Sequence, residues 1–307
     1  MLKNIVFMGT SNFAVPILKS LYQNGYSVSC VYTQPPKKSN RGQRLNKSPI
    51  NLISETLNLK VRTPERLKNN IEEEKFLKKI KPDLSIVVSY GQLIPKNLLE
   101  IPKYGFLNVH ASLLPKWRGA APIQRAIMNL ENKTGITLMK LNENLDEGPI
   151  ISKYDFKISK NMNAQELSEN LATLASQKII DDLDSIFEEN IELTNQDNSK
   201  ATYAKKIDKS EGKINWNENA EKIMGKINGL YPFPGAWFLF NGERYKILKA
   251  EVSDAKGEKG MMFSDNFEIG CNNKSIKILC IQREGKKVQN IKEFILGTKI
   301  KKGTYIT

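Results

Sequence analysis

Three residues have types and spacing that suggest chemistry: Asn108, His110 and Asp146. Asn108 and His110 close the strand-like run GFLNVH at 105–110, and residues two apart on a strand face one side. His110 is the only histidine in the chain. Asp146 lies in LNENLDEGP, on a Gly/Pro loop after the apolar run at 136–141, and is expected at the same sheet edge. An imidazole can move protons near neutral pH, a carboxylate can orient it and stabilise its charge, and an amide can donate to an oxyanion. The set suits acyl transfer. No serine or cysteine is obviously paired with the histidine, which favours direct transfer to an acceptor over a covalent intermediate. The plainer alternatives are a structural histidine and a solvated turn aspartate.

The elements that must position these residues come from the first half of the chain. Short runs rich in β-branched residues, at 4–8, 28–32, 84–88, 105–110 and 136–141, alternate with helical stretches at 13–23, 71–81 and 123–130, the last opened by Pro122. Strand and helix in repetition predict a right-handed, Rossmann-like parallel α/β sheet, whose ligands bind at the carboxyl ends of its strands. Gly9, between the first strand and the first helix, could cradle a phosphate. The Gly-rich dinucleotide and P-loop fingerprints are absent, so a tight turn capped by Ser11 or Asn12 is the better reading. A long helix follows, with Asn163 and Glu166 as a capping box and Leu167, Leu171, Leu174, Leu183 and Ile186 as its buried stripe. It ends near Glu189.

Beyond it the pattern changes. Residues 190–200 are polar and aperiodic. After the breaker-rich GLYPFPG at 229–235 come short strand-like runs at 236–240, 245–250, 266–269, 276–281 and 299–306, with Asn241–Gly242 as a hairpin signal. The predicted organisation is an α/β domain at 1–189, a linker at 190–206 and a small antiparallel, OB-like β-barrel at 207–307.

Composition bounds the function. The 307 residues carry 47 Lys and Arg against 33 Asp and Glu, a net charge of +14. Residues 1–50 hold seven basic residues and no acid, 151–200 are net −5, and 201–307 are net +8. Excess positive charge of this kind attracts polyanions, nucleic acid foremost. Three cysteines, at 30, 271 and 280, make neither a disulfide framework nor a zinc site, and one histidine excludes a His-rich metal centre. No metal is expected. No apolar run is long enough to span a bilayer and no signal peptide is recognised, so a cytoplasmic protein is expected.

The segment NVHASLLPKWRGAAPIQ, with the later LDEGP, resembles the folate-dependent formyltransferases. MGTSNFAVP, TQPPKKSNRGQRL, SYGQLIP, TYAKKI and YPFPGAW are similar to those members of the group that act on methionyl-tRNA. These motifs span about three-quarters of the chain. One departure is Glu147, where the group often has Thr. The resemblance implies transfer of the formyl group of 10-formyltetrahydrofolate to the α-amino group of methionyl initiator tRNA. By similarity Asn108, His110 and Asp146 are the catalytic trio, and Ser112, Leu113, Leu114 and Pro115 the folate-contact segment. The resemblance also implies that the basic loop with Lys37, Lys38, Arg41 and Arg44 contacts the acceptor arm, Arg41 standing in the RG position, and Lys205 and Lys206 are further tRNA candidates. A monomer is expected. The competing readings are a formyltransferase of the same superfamily acting on a small amine, and a non-catalytic RNA-binding protein.

Overall fold

The computed structural model describes residues 3–39 and 44–307, and divides the chain into two compact units. The first comprises Met1–Gly119, Thr134–Phe156 and Ser168–Tyr203, and the second Ala120–Lys133, Lys157–Leu167 and Ala204–Thr307.

The first unit is built on a seven-stranded sheet of β1 (Asn4–Gly9), β2 (Ser27–Tyr32), β3 (Val61–Arg62), β4 (Leu84–Val88), β5 (Phe106–His110), β6 (Lys133–Lys140) and β7 (Ile150–Lys157), in the order β7-β6-β5-β4-β1-β2-β3. The pairs from β3 to β5 are all parallel, as predicted. The strand direction reverses its order of growth between β1 and β4, the place where doubly wound sheets open a crevice at their carboxyl ends. Central strands of a parallel sheet are covered on both sides, and Ile5, Val6, Phe7, Met8, Leu84 and Ile86 are all fully buried.

The parallel pattern ends at β6. β6 runs antiparallel to β5, with Leu107 opposite Lys140 and His110 opposite Thr137. The helix Pro122–Met128, which lies between β5 and β6 in sequence, belongs to the second unit. There it packs on the helix Ala220–Gly229, where a Cβ on Gly229 would lie 2.5 Å from Met128 Cγ. It does not act as a sheet crossover, so the chain re-enters the sheet from the carboxyl rim and β6 runs back. Strand composition carries no sign of direction, which is why the sequence did not reveal this.

The helix Ala164–Phe187 opens with the expected reciprocal cap: Asn163 Oδ1 accepts from the Glu166 amide, and Glu166 Oε2 accepts from the Asn163 amide, both at 3.0 Å. Its buried stripe runs through Leu167, Leu171, Ala175, Ile179, Leu183 and Ile186, leaving Leu174 half-buried. Ser11 stands before the one-turn helix Asn12–Ala14, but its side chain makes no capping hydrogen bond, contrary to expectation.

The second unit holds an antiparallel sheet of β8 (Ala236–Phe240), β9 (Glu243–Ser253), β10 (Met261–Ser264), β11 (Glu268–Gly270), β12 (Ser275–Arg283) and β13 (Thr304–Tyr305), in the order β8-β9-β12-β11-β10-β13. The two-residue turn Asn241–Gly242 has φ of 49° and 76°, the left-handed pair that a tight hairpin demands. Two register shifts in β9 bend it, and reciprocal hydrogen bonds between Leu239 and Thr307 bring the last strand back to the first. The sheet thus curls into the expected barrel around Phe238, Ile247, Ile269 and Ile278. The runs expected at 266–269 and 299–306 are strands only over Glu268–Gly270 and Thr304–Tyr305. Helices Ala220–Gly229 and Ile291–Gly297 were not foreseen; two glycines in the first, required for close packing, lower its helical signal.

No described helix is long and apolar enough to cross a membrane, and no group of metal-ligating residues occurs among the described residues. All three cysteines are free, and burial pushes the Cys30 and Cys271 thiols up to about 12.

A buried ionic network ties the first unit's helix Ile71–Ile80 to its sheet. Glu73 accepts from Tyr32 Oη at 2.7 Å and from Arg62 Nε at 2.6 Å. Burial, then the hydrogen bond to Glu73, holds the Tyr32 hydroxyl protonated well above the usual tyrosine range. Glu73→Ala strands the Tyr32 hydroxyl and leaves Arg62 only the Glu72 carboxylate at 3.2 Å, and is expected to cost about 2 kcal/mol, read as a lower urea midpoint at unchanged m.

Candidate active site

β5 delivers Asn108 and His110 to one face of the sheet, because alternate strand residues share a face. The loop that follows is held from below by Thr137 on β6. Its hydroxyl donates to Ser112 O at 2.7 Å and accepts from the Leu114 amide at 3.1 Å. Ser112 Oγ donates to Lys116 O at 2.6 Å, and the Trp117 amide donates to Thr202 Oγ1 at 2.9 Å. Trp117 adopts a left-handed φ of 63°. The outcome is that the Trp117 carbonyl meets His110 Nε2 at 2.9 Å.

A carbonyl oxygen only accepts, so His110 Nε2 carries a proton. The nitrogen left to exchange a proton is Nδ1. It lies 3.7 Å from Asp146 Oδ2, in a pair whose side chains are 7% and 12% exposed. Asp146 Oδ1 accepts from Asn108 Nδ2 at 3.3 Å, and Oδ2 accepts from the Gly119 amide at 2.8 Å. The three residues singled out from sequence therefore converge.

Asp146 does so by a route the sequence did not suggest. It was expected at the carboxyl rim, just past the strand at 136–141. Because β6 is antiparallel, that strand ends beside Leu107, at the far end of β5 from His110. The 141–149 loop must fold back along the sheet to reach Asn108. Asp146 takes a left-handed φ of 52° within it. A Cβ at Gly148 would meet Lys140 O and Met139 Cε, so glycine is what allows the loop to lie this close.

Arg118 was missed from sequence. Its side chain is fully buried, and its guanidinium donates to Glu147 Oε1 at 2.9 Å, Gln196 Oε1 at 2.9 Å and Asn198 Oδ1 at 2.7 Å. Gln196 Nε2 in turn donates to the carbonyls of Asp146 and Gly148, both at 2.8 Å. Residues 190–206, expected as a linker, thus supply three hydrogen-bonding side chains to the site: Gln196 to the 141–149 loop, Asn198 to Arg118 and Thr202 to the Trp117 amide. Between them Asp197 caps the turn Asn198–Lys200, and hydrogen bonds from Ser199 and Lys200 draw its carboxyl down to about 2. Polar residues in an aperiodic stretch look like solvated chain, which hid this role.

Of the segment matched to folate contacts, Ser112 and Leu114 are buried, Leu113 and Pro115 half-buried, and the Ser112 hydroxyl is spent on the loop itself. Lys37 and Lys38 begin a short hairpin, Lys37–Ser39 with Arg44–Asn46, pairing Lys38 with Leu45 and Ser39 with Arg44. Lys37 is exposed, and Arg41 lies outside the described residues. In the second unit Lys205 and Lys206 are exposed, and the Lys205 carbonyl accepts from Arg125.

A Rossmann-like sheet carrying an Asn, His and Asp cluster at the end of β5, followed by a small β-barrel, has the groups of an acyl-transfer site. The formyl transferase family model matches residues 3–183 and the formyl transferase C-terminal domain model matches 206–299, so the chain belongs to the formyl transferase family. Its sequence is 59% identical over 308 residues to the methionyl-tRNA formyltransferase of Pelagibacter ubique, covering 100% of this chain and 99% of that protein. It is 41% identical to the enzyme of the same name from Thermodesulfovibrio yellowstonii, covering 99% and 98%. Among solved structures, the fold is similar to an N-formyltransferase from Helicobacter canadensis in complex with folinic acid and dTDP-3-aminofucose. That match has 23% identity and a TM-score of 0.69, and covers 92% of this chain and 100% of the other.

The proton assignment on His110 is directly measurable. With one histidine in the chain, the ¹⁵N spectrum of the neutral ring is expected to show a protonated Nε2 and an unprotonated Nδ1. The opposite tautomer would contradict the Trp117 contact.

Proposed function

We propose that this chain transfers the formyl group of 10-formyltetrahydrofolate to the α-amino group of methionyl initiator tRNA, forming formylmethionyl-tRNA for translation initiation. The observation that carries the reading is the convergence of Asn108, His110 and Asp146, in a chain whose full-length relatives bear that activity's name.

The chemistry follows from the atoms. The neutral amine attacks the formyl carbon, a C–N bond forms, and the carbonyl oxygen becomes an oxyanion. Asn108 Nδ2 donates to that oxygen. His110 Nδ1 takes the proton from the attacking nitrogen. The resulting imidazolium keeps its Nε2–H on the Trp117 carbonyl, and the Asp146 carboxylate stabilises its positive charge. The same proton then passes to the departing folate nitrogen as its bond to carbon breaks. Holding both substrates in one site supplies the proximity term.

Ser112, Leu113, Leu114 and Pro115 are assigned to the folate side. Lys37, Lys38, Arg41 and Arg44 are assigned to the tRNA acceptor arm, with Lys205 and Lys206. The catalytic domain is taken as 1–189, the linker as 190–206 and the tRNA-binding barrel as 207–307. A basic barrel holding phosphates makes tRNA binding weaken steeply with salt. The protein acts as a monomer in the cytoplasm and needs no metal.

The deciding experiment offers 10-formyltetrahydrofolate with charged initiator tRNA, glycinamide ribonucleotide or an amino-sugar nucleotide. Transfer to the tRNA is expected, and activity only on a small amine would discard the reading. Asn108→Ala is expected to lower kcat by about 10²–10³, the usual loss for one oxyanion donor. His110→Ala should remove most turnover while tRNA affinity, measured by filter binding, stays within about twofold; surviving turnover would refute the role given to His110. Arg41→Ala should weaken use of tRNA yet spare slow hydrolysis of the formyl donor, and equal losses in both would count against a tRNA role for the loop.

A further inference from the structure

Two consecutive residues of one short strand grip two consecutive residues of the site loop. The Gly119 amide holds the Asp146 carboxylate, and the Arg118 guanidinium holds that of Glu147. Arg118 is 1% exposed, yet its charge meets a carboxylate only at Glu147 among the ion pairs of the described residues. Its other described side-chain partners are the neutral amides of Gln196 and Asn198. Gln196 then ties the Asp146 and Gly148 carbonyls. Together these contacts surround Asp146, whose positive φ a non-glycine residue keeps only when its surroundings over-determine it.

We infer that Arg118 and Glu147 form a charge-paired clamp that positions Asp146 against His110, and that both are positioning residues for the transfer step. The inference rests on the function proposed above. A buried guanidinium must keep an anion beside it. While Glu147 supplies that anion, the Asp146 carboxylate remains with Asn108, Gly119 and His110. With Glu147 neutralised, the nearest replacement is Asp146 itself, one residue away, and Arg118 competes with His110 for it. Charge on Glu147, beyond its hydrogen bond, is therefore what the site uses.

The test contrasts Glu147→Gln, which keeps the size and the accepting oxygen but not the charge, with Glu147→Asp, which keeps the charge. Glu147 is only partly buried, so both variants are expected to fold, whereas Arg118→Ala would leave a hole and strip Glu147, Gln196 and Asn198 of their donor. Glu147→Gln should lower kcat by about tenfold, in line with displacement of a catalytic group by a fraction of an ångström, with both KM values within about twofold. Glu147→Asp should recover at least half of that loss on a logarithmic scale. The single histidine gives a second readout that needs no turnover. Its ring ¹⁵N signals should move in Glu147→Gln and return toward wild type in Glu147→Asp. A kcat fall of less than about fivefold, a loss carried by KM, an equal loss in both variants, or ring signals that superimpose on wild type would each overturn the clamp. If the wild type transfers formyl to no amine offered, the function reading fails, and the ring signals alone decide the clamp.

Discussion

A carboxylate beside an imidazole has to be brought there against the run of the sheet, and the rest of the site is arranged around that constraint. β6 leaves the vicinity of His110 and ends beside Leu107. The loop after it returns to place Asp146 within 3.7 Å of His110. A returning loop lies on the sheet only if its backbone polar groups find partners. Gln196 takes two of its carbonyls, and the Gly119 amide takes the carboxylate. Glycine at 148 removes the side chain that would push the loop off Lys140.

The same economy governs the other side of the imidazole. Thr137 lies opposite His110 in the β5–β6 register, and its hydroxyl pins the loop that ends in the Trp117 carbonyl. One strand therefore serves both partners of the histidine. It anchors the carbonyl that fixes the Nε2 proton, and it launches the loop that carries the carboxylate facing Nδ1. With the two ring nitrogens assigned to different neighbours, the ring has one proton to keep and one position through which protons can pass. This division of labour suits transfer between two nitrogens in which nothing is stored covalently on the protein.

Much of this architecture was legible in the residues. Asn163 and Glu166 announced a helix start because the cap is a local event within four residues. Asn241–Gly242 announced a hairpin because few residues tolerate two left-handed positions in succession. The helix Ala220–Gly229 was illegible for the converse reason. Its two glycines serve a neighbouring helix rather than their own propensity. The direction of β6, and with it the route taken by Asp146, was hidden because apolar β-branched runs read alike in parallel and antiparallel pairs. Arg118 looked like one more basic residue in a cation-rich chain, and its full burial was settled only by partners 29 and 78 residues away.

The amino-acid order by itself determined which side chains are available for chemistry. There is one imidazole, an amide two residues before it on the same strand face, and an aspartate on a Gly/Pro loop. It also marked many of the strands and helices, since period, caps and turns are short-range properties of the chain. Only the tertiary structure decided which of these groups meet, which ring nitrogen is free, and that a linker-like stretch and a buried arginine hold the aspartate in place. Those outcomes depend on strand pairing and on hydrogen bonds between residues tens of positions apart, and no local pattern encodes such contacts.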